Sequence, residues 1–154
     1  MIEFVSSSQA PPSSEQEIAA LTRLIKLDVP NFHLGPEFES FLLVAEPGVP
    51  CRRHFRIAGK GAPPIDRFLN LAPPSEAGNR HARYNINVVL DSVEDLLPSG
   101  VVPFAWLANG DLLCVSSSSQ GYVEVVMAVL QGSGTTASIV PVSPSFSAFL
   151  ESLD

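Results

Sequence analysis

The sequence predicts one α+β domain in which an antiparallel sheet of at least four strands is flanked by N-terminal and C-terminal helices. Three observations predict it. Apolar residues recur at helical spacing near both ends of the chain, at Ile18, Leu21, Leu24 and Ile25 and again at Phe146, Phe149, Leu150 and Leu153. From residue 101 to residue 142, short apolar runs alternate with Asn, Gly and Ser, a hairpin-like pattern that lacks the crossover helices of a parallel sheet. With 154 residues, 45% of them apolar, the chain has the material for one core that needs no metal or disulfide.

In chain order, residues 1–12 read as a flexible N-terminal segment ending in Pro11-Pro12, and residues 13–154 as the single domain. Ser14 followed three residues later by Glu17 is a capping box, so a helix runs from there to about Lys26 and stops at Asp28-Val29-Pro30. A second helix begins at Pro36, turns Phe38, Phe41, Leu42 and Ala45 inward and ends at Pro47-Gly48. From Arg53 the period changes to two, predicting a strand through Phe55 and Ile57 that Gly59-Lys60-Gly61 punctuates. Ile65 to Leu71 predicts another strand, and Ala72 to Arg83, with its prolines and charges, an exposed excursion. Leu90, Val93 and Leu97 favour a helix within Asn87 to Leu97 that stops before Pro98.

Val101 to Trp106 and Leu112 to Val115 flank Asn109-Gly110, which suits the two central positions of a type I′ hairpin turn. Phe104 and Trp106 on one arm, opposite Leu112 and Leu113, are expected to face the core, and Phe104, Trp106, Leu112, Cys114, Val123 and Val125 to line one sheet. Strands are predicted from Tyr122 to Leu130, after the loop Ser116 to Gly121, and from Thr136 to Val142, after Gln131 to Gly134. Ser143 is placed as the cap of the last helix, with Pro144 at its first position.

Charge narrows the function. Nine Lys and Arg against sixteen Asp and Glu leave a net charge of −7, which disfavours a surface built to coat nucleic acid. The charge is also segregated: residues 1–50 carry −5, residues 51–83 carry +5, and residues 84–154 carry −7 with no Lys or Arg at all. Either intramolecular complementarity or two distinct binding faces follows from such a pattern. Arg52, Arg53 and Arg56 read as a charged strand flank rather than an RNA contact, because no exposed aromatics interleave with them. The acidic set Asp91, Glu94, Asp95, Asp111 and Glu124 is the candidate protein-binding surface, suited to a basic protein partner; its bland reading is solubility alone.

Compact catalytic signatures are missing. There is no G-x-S-x-G elbow, no phosphate-binding Gly-rich loop ending in Gly-Lys-Ser/Thr, and no H-E-x-x-H helix. Cys51-x-x-His54, even with His33 and His81, falls short of a convincing zinc set, and Asp91, Glu94 and Asp95 read as a solvated helix face rather than an acid/base pair. No catalytic residue, cofactor or metal is therefore expected. The start of the chain has no basic n-region or apolar h-region, and no apolar run reaches eighteen residues, so a cytoplasmic location without membrane contact is expected. Cys51 and Cys114 are expected as free thiols.

Three motifs then line up in order. Leu34-Gly35-Pro36-Glu37-Phe38-Glu39-Ser40-Phe41-Leu42 is similar to a Leu-Pro-x-x-(aromatic)-x-x-Phe-Leu segment with Gly35 inserted. Leu97 to Ala105 followed by Gly110 to Val115 is similar to a Pro-x-Gly-x-x-Pro segment leading into Gly-(polar)-x-(aliphatic)-(Cys or aliphatic). Pro141 to Leu150 is similar to a terminal Ala-x-Ser-Phe-x-x-Phe-Leu signature. Together they resemble the SUKH superfamily, the yeast cell-wall-synthesis-regulator-like group that includes many bacterial toxin-immunity proteins. Tyr122 to Met127 departs from the family's usual Tyr-Phe-Trp-Asp-His-like segment. The resemblance implies a curved antiparallel sheet beside helices and a cytoplasmic immunity protein that neutralises a cognate protein toxin with a basic surface, often a nuclease. The alternative it implies is a non-catalytic scaffold or regulator in cell-wall or growth signalling.

Overall fold

A computed structural model describes residues 2–72, 79–93, 95–117, 122–130 and 136–154. Helix α1 (Glu15–Lys26) starts on the capping box: Ser14 Oγ accepts from the Glu17 N–H at 3.2 Å, and Glu17 Oε1 accepts from the Ser14 N–H at 2.8 Å. The helix buries Ile18 and Leu21. Helix α2 (Pro36–Val44) has proline in its first turn and buries Phe38 and Leu42, while Phe41 is only half-buried. Gly35 precedes it at φ +88°, and a Cβ there would come within 2.9 Å of Val123 Cγ2. Both the left-handed backbone and the close approach to the sheet require glycine.

The main sheet has five antiparallel strands in the order β3 (Ile65–Phe68), β4 (Val101–Leu107), β5 (Leu112–Ser117), β6 (Val123–Val129) and β7 (Ser138–Ser143). Each of the last three connections is to the next strand in sequence, as hairpin-like spacing predicts. Leu112, Leu113, Cys114 and Val115 are all buried, so both faces of the central strand are covered. One face carries Phe68, Leu113 and Val125 by register, under an aromatic cluster of Phe38, Phe68, Phe104, Phe146 and Phe149. The other carries Cys114 and Leu112 with Trp106 and Arg67; helix α4 (Ile86–Val93) lies beside β4, and Tyr84 just before it receives Arg67.

The expected shared face of Phe104 and Trp106 is corrected by a β-bulge. Pro103 pairs with Cys114 and Ala105 with Leu113, leaving Phe104 as the extra residue. Proline has no N–H to give a central ladder, so an irregularity beside it is the favourable arrangement. The bulge shifts the alternation by one. Phe104 stays 1% exposed in the aromatic cluster, while Trp106 turns to the opposite face and is half-buried.

The hairpin turn is corrected too. The Gly110 N–H donates to Leu107 O at 3.0 Å and only Gly110 has positive φ, so Ala108 and Asn109 are the central residues and Gly110 takes the left-handed position after them. Two consecutive positive-φ residues, as type I′ needs, occur instead at Ala58 (φ 50°) and Gly59 (φ 79°), joining β1 (Arg56–Ile57) to β2 (Lys60–Gly61). The strand expected from Arg53 is thus a two-residue piece that lies against β7.

The excursion from Ala72 to Arg83 is anchored at both ends, its residues 73–78 lying outside the described ones. Asn70 Nδ2 donates to His81 O at 3.3 Å, Asn85 Nδ2 to Ala72 O at 2.9 Å, and both asparagines are buried. A short helix α3 (Asn79–Ala82) brings in His81, which is 4% exposed rather than solvated. Asn85 then caps α4, its Oδ1 accepting from the Asn87 N–H at 2.8 Å. The loops expected at Ser116 to Gly121 and Gln131 to Gly134 lie partly and wholly outside the described residues. The last helix, α5 (Phe146–Glu151), is capped by Ser145, whose Oγ accepts from the Ala148 N–H; Ser143 ends β7 instead.

Residues 47–54 gather both ends of the chain. Ala10, Val5 and Cys51 N–H groups bond Pro47, Val49 and Glu3 carbonyls, and His54 exchanges two backbone bonds with Asp154 at 2.9 and 3.0 Å. A 3-10 turn at Ser6–Ser8 adds Ser8 Oγ, which accepts from the Val49 N–H. Backbone bonds and the Ser8 side chain thus join Glu3, Val5, Ser8 and Ala10 to this stretch.

Candidate protein-binding surface

Helix α4 sets the position of the first two carboxylates. Its buried side is Ile86, Val89 and Val93; on the opposite, exposed side Asp91 and Ser92 follow Val88 at three and four residues, and Asp95 comes in the turn after the helix. Asp91 and Asp95 are exposed, and Val88 is 45% exposed beside them. Glu94 lies outside the described residues.

Asp111 does not join this face. It is 3% exposed, and both carboxylate oxygens are occupied: Oδ1 accepts from the Leu130 N–H at 2.9 Å and Oδ2 from Asn109 Nδ2 at 2.9 Å. The Asp111 N–H in turn donates to Asn109 Oδ1 at 3.1 Å. The side chain braces the β4–β5 turn to the end of β6 and is not available to a partner. Glu124 is half-buried on β6 and pairs with Ser116. Asp111 and Ser116 are five residues apart along β5, about 17 Å at the rise of an extended strand. Of the expected acidic set, Asp111 is thus a structural carboxylate, while Asp91 on α4 and Asp95 after it are exposed and Glu124 is half-buried on the sheet face that carries Cys114.

The basic middle of the chain is partly spent on structure. Arg53 Nε donates to Ile65 O at 2.7 Å, with Asp66 3.9 Å away, which is the strand-flank role read from the sequence. Arg67 and Arg83 stack on Tyr84, their guanidinium carbons 4.2 and 4.9 Å from the ring centroid, and Tyr84 and Trp106 line one shallow depression with Asp66. Sequence reading missed this group: Arg83-Tyr84 adjacency was visible, but Arg67 and Trp106 arrive only through the β3–β4 register.

Cys51 and Cys114 are free, one exposed and one buried, and burial pushes the Cys114 thiol up. Among the described residues no three His, Cys, Asp or Glu side chains gather as a metal site, and no helix is long and apolar enough to cross a membrane. What this surface offers is recognition chemistry, namely exposed carboxylates on and just after α4 and an exposed apolar side chain on it. Compared with known families, residues 12–152 match the model described as SMI1 / KNR4 family (SUKH-1). No curated protein and no solved structure matches the chain.

Proposed function

Because the chain belongs to the SMI1 / KNR4 family (SUKH-1), a group linked generally to toxin immunity and growth regulation whose members are typically non-enzymatic, we propose that it is a cytoplasmic immunity protein that binds and neutralises a basic protein toxin. The observation that carries the choice of surface is the exposed Asp91 three residues after exposed Val88 on α4, with exposed Asp95 just past the helix. Carboxylates of one sign accelerate encounter with a basic face, and a desolvated apolar neighbour slows departure. A nuclease toxin fits this chemistry, since a face that binds phosphates is itself basic. The exposed free thiol of Cys51 suits a reducing compartment. The register shifts in three of the four sheet ladders support the curvature expected of the sheet.

The test is co-expression with the toxin-like product of an adjacent gene. Growth rescue and a direct complex are expected. A variant carrying Asp91→Asn, Glu94→Gln, Asp95→Asn and Glu124→Gln should associate about tenfold more slowly at low salt, where screening is weakest. Failure to rescue or bind defeats the pairing with that toxin, and an unchanged association rate defeats the α4 face. A partner that binds without being toxic points instead to a scaffold or regulator in growth signalling.

A further inference from the structure

Across the sheet from α4, the N-terminal segment, α2, the loop after it and α5 enclose a half-open groove of about 940 Å³. Its apolar surface comes from Phe4, Phe41, Val44 and Leu150, and Val44 is 72% exposed although it belongs to a core-facing helix. Glu3, Glu37, Glu46 and Glu151 stand around it against the single cation Arg52. None of these carboxylates is in an ion pair among the described residues.

We propose that this groove docks a basic segment of a protein partner through one or two large apolar side chains flanked by Lys or Arg. The volume admits several side chains and the apolar floor supplies the anchor site. Four uncompensated carboxylates against one guanidinium favour a cationic occupant and oppose an acidic one. The groove does not depend on the α4 face, nor on the partner being a toxin, and its position across the sheet leaves both surfaces free to act together.

Cys51 provides the test, because its exposed thiol lines the groove whereas Cys114 is buried. The full chain is incubated, in a low concentration of free 2-mercaptoethanol, with capped twelve-residue peptides whose single cysteine is supplied as its mixed disulfide with 2-mercaptoethanol, so that the Cys51 thiolate attacks the peptide sulfur and releases 2-mercaptoethanol: one of Lys, Leu and Phe, one of Glu, Leu and Phe, and one of Lys and Ser. Mixed disulfides are read by intact mass. At least tenfold more capture of the Lys/Leu/Phe peptide than of either other is expected. Val44→Ser should remove most of the preference over the Lys/Ser peptide, and separately Glu37→Lys with Glu151→Lys most of the preference over the Glu/Leu/Phe peptide, neither lowering Tm, whereas Asp91→Asn with Asp95→Asn should leave both intact. Equal capture of the three peptides, no capture, a preference indifferent to the groove variants, or a Cys51-linked dimer formed in place of peptide capture would each overturn the proposal.

Discussion

Replacing Asp111 by alanine separates a structural carboxylate from a binding one. The substitution removes the acceptor of the Leu130 N–H and of Asn109 Nδ2, both at 2.9 Å. Each hydrogen bond to a charged acceptor contributes about 1.5–3 kcal/mol, and a donor left without its partner adds a desolvation cost. Against this stands the relief of removing a carboxylate that is 3% exposed and in no ion pair among the described residues. The net loss expected is about 2–4 kcal/mol, a fall in Tm of roughly 6–12 °C for a loss near 3 kcal/mol. Asp111→Asn keeps an oxygen for Leu130 and should cost about 1 kcal/mol. Urea unfolding at constant slope measures both. A loss below about 1 kcal/mol in the alanine variant refutes the brace, and slower association with a basic partner at undiminished stability would return Asp111 to the binding face.

Phe149 is fully buried and its ring meets Phe55 and Phe104 with centroids 5.6 and 5.7 Å away, so Phe149→Ala should cost about 3–5 kcal/mol; a loss under about 1 kcal/mol rejects its place in the core. Ala58→Asn puts a residue that tolerates positive φ where alanine now sits at 50°, and should raise stability by about 0.5–1 kcal/mol in thermal unfolding; a decrease counts against the turn geometry. Because burial pushes the Cys114 thiol up, the folded chain keeps a proton that the unfolded chain releases above about pH 8.5. Stability should therefore be unaffected by this thiol below that pH and fall above it by up to about 1.4 kcal/mol per unit, a slope that Cys114→Ala abolishes; parallel urea midpoints for the two proteins at pH 7, 9 and 10 would contradict it.

Local chemistry was legible from the sequence. The Ser14 and Glu17 pair is contained in one helical turn, so α1 began where its residues said it would, and the strands of β4 to β7 followed from apolar runs bounded by turn residues. What escaped depended on pairing register. Asn109-Gly110 is compatible with two turn geometries, and the choice is made by which residues of β4 and β5 face each other, not by the dipeptide. Trp106 was misplaced because strict alternation has no way to count the extra residue at Phe104, although Pro103 in a central strand was the available warning. The acidic face was half legible: α4's periodicity exposes Asp91, but Asp111 looked equivalent in the one-dimensional chain and is withdrawn by bonds to residues 109 and 130. The groove was not legible at all, since its walls come from residues 2–9, 37–52 and 147–153.

The stretch from residue 47 to residue 54 bears on how the chain is synthesised. Its partners are Glu3, Val5, Ser8 and Ala10 on one side and, one hundred residues beyond His54, Asp154 on the other. Closing so long a loop is entropically late, so contacts of this kind slow folding relative to the local hairpins that precede them. On a ribosome, α2 and the aromatic residues beneath it emerge long before Phe146, Phe149 and Asp154 exist to cover them. The nascent chain therefore carries an uncapped apolar surface until residues 146–154 have left the exit tunnel.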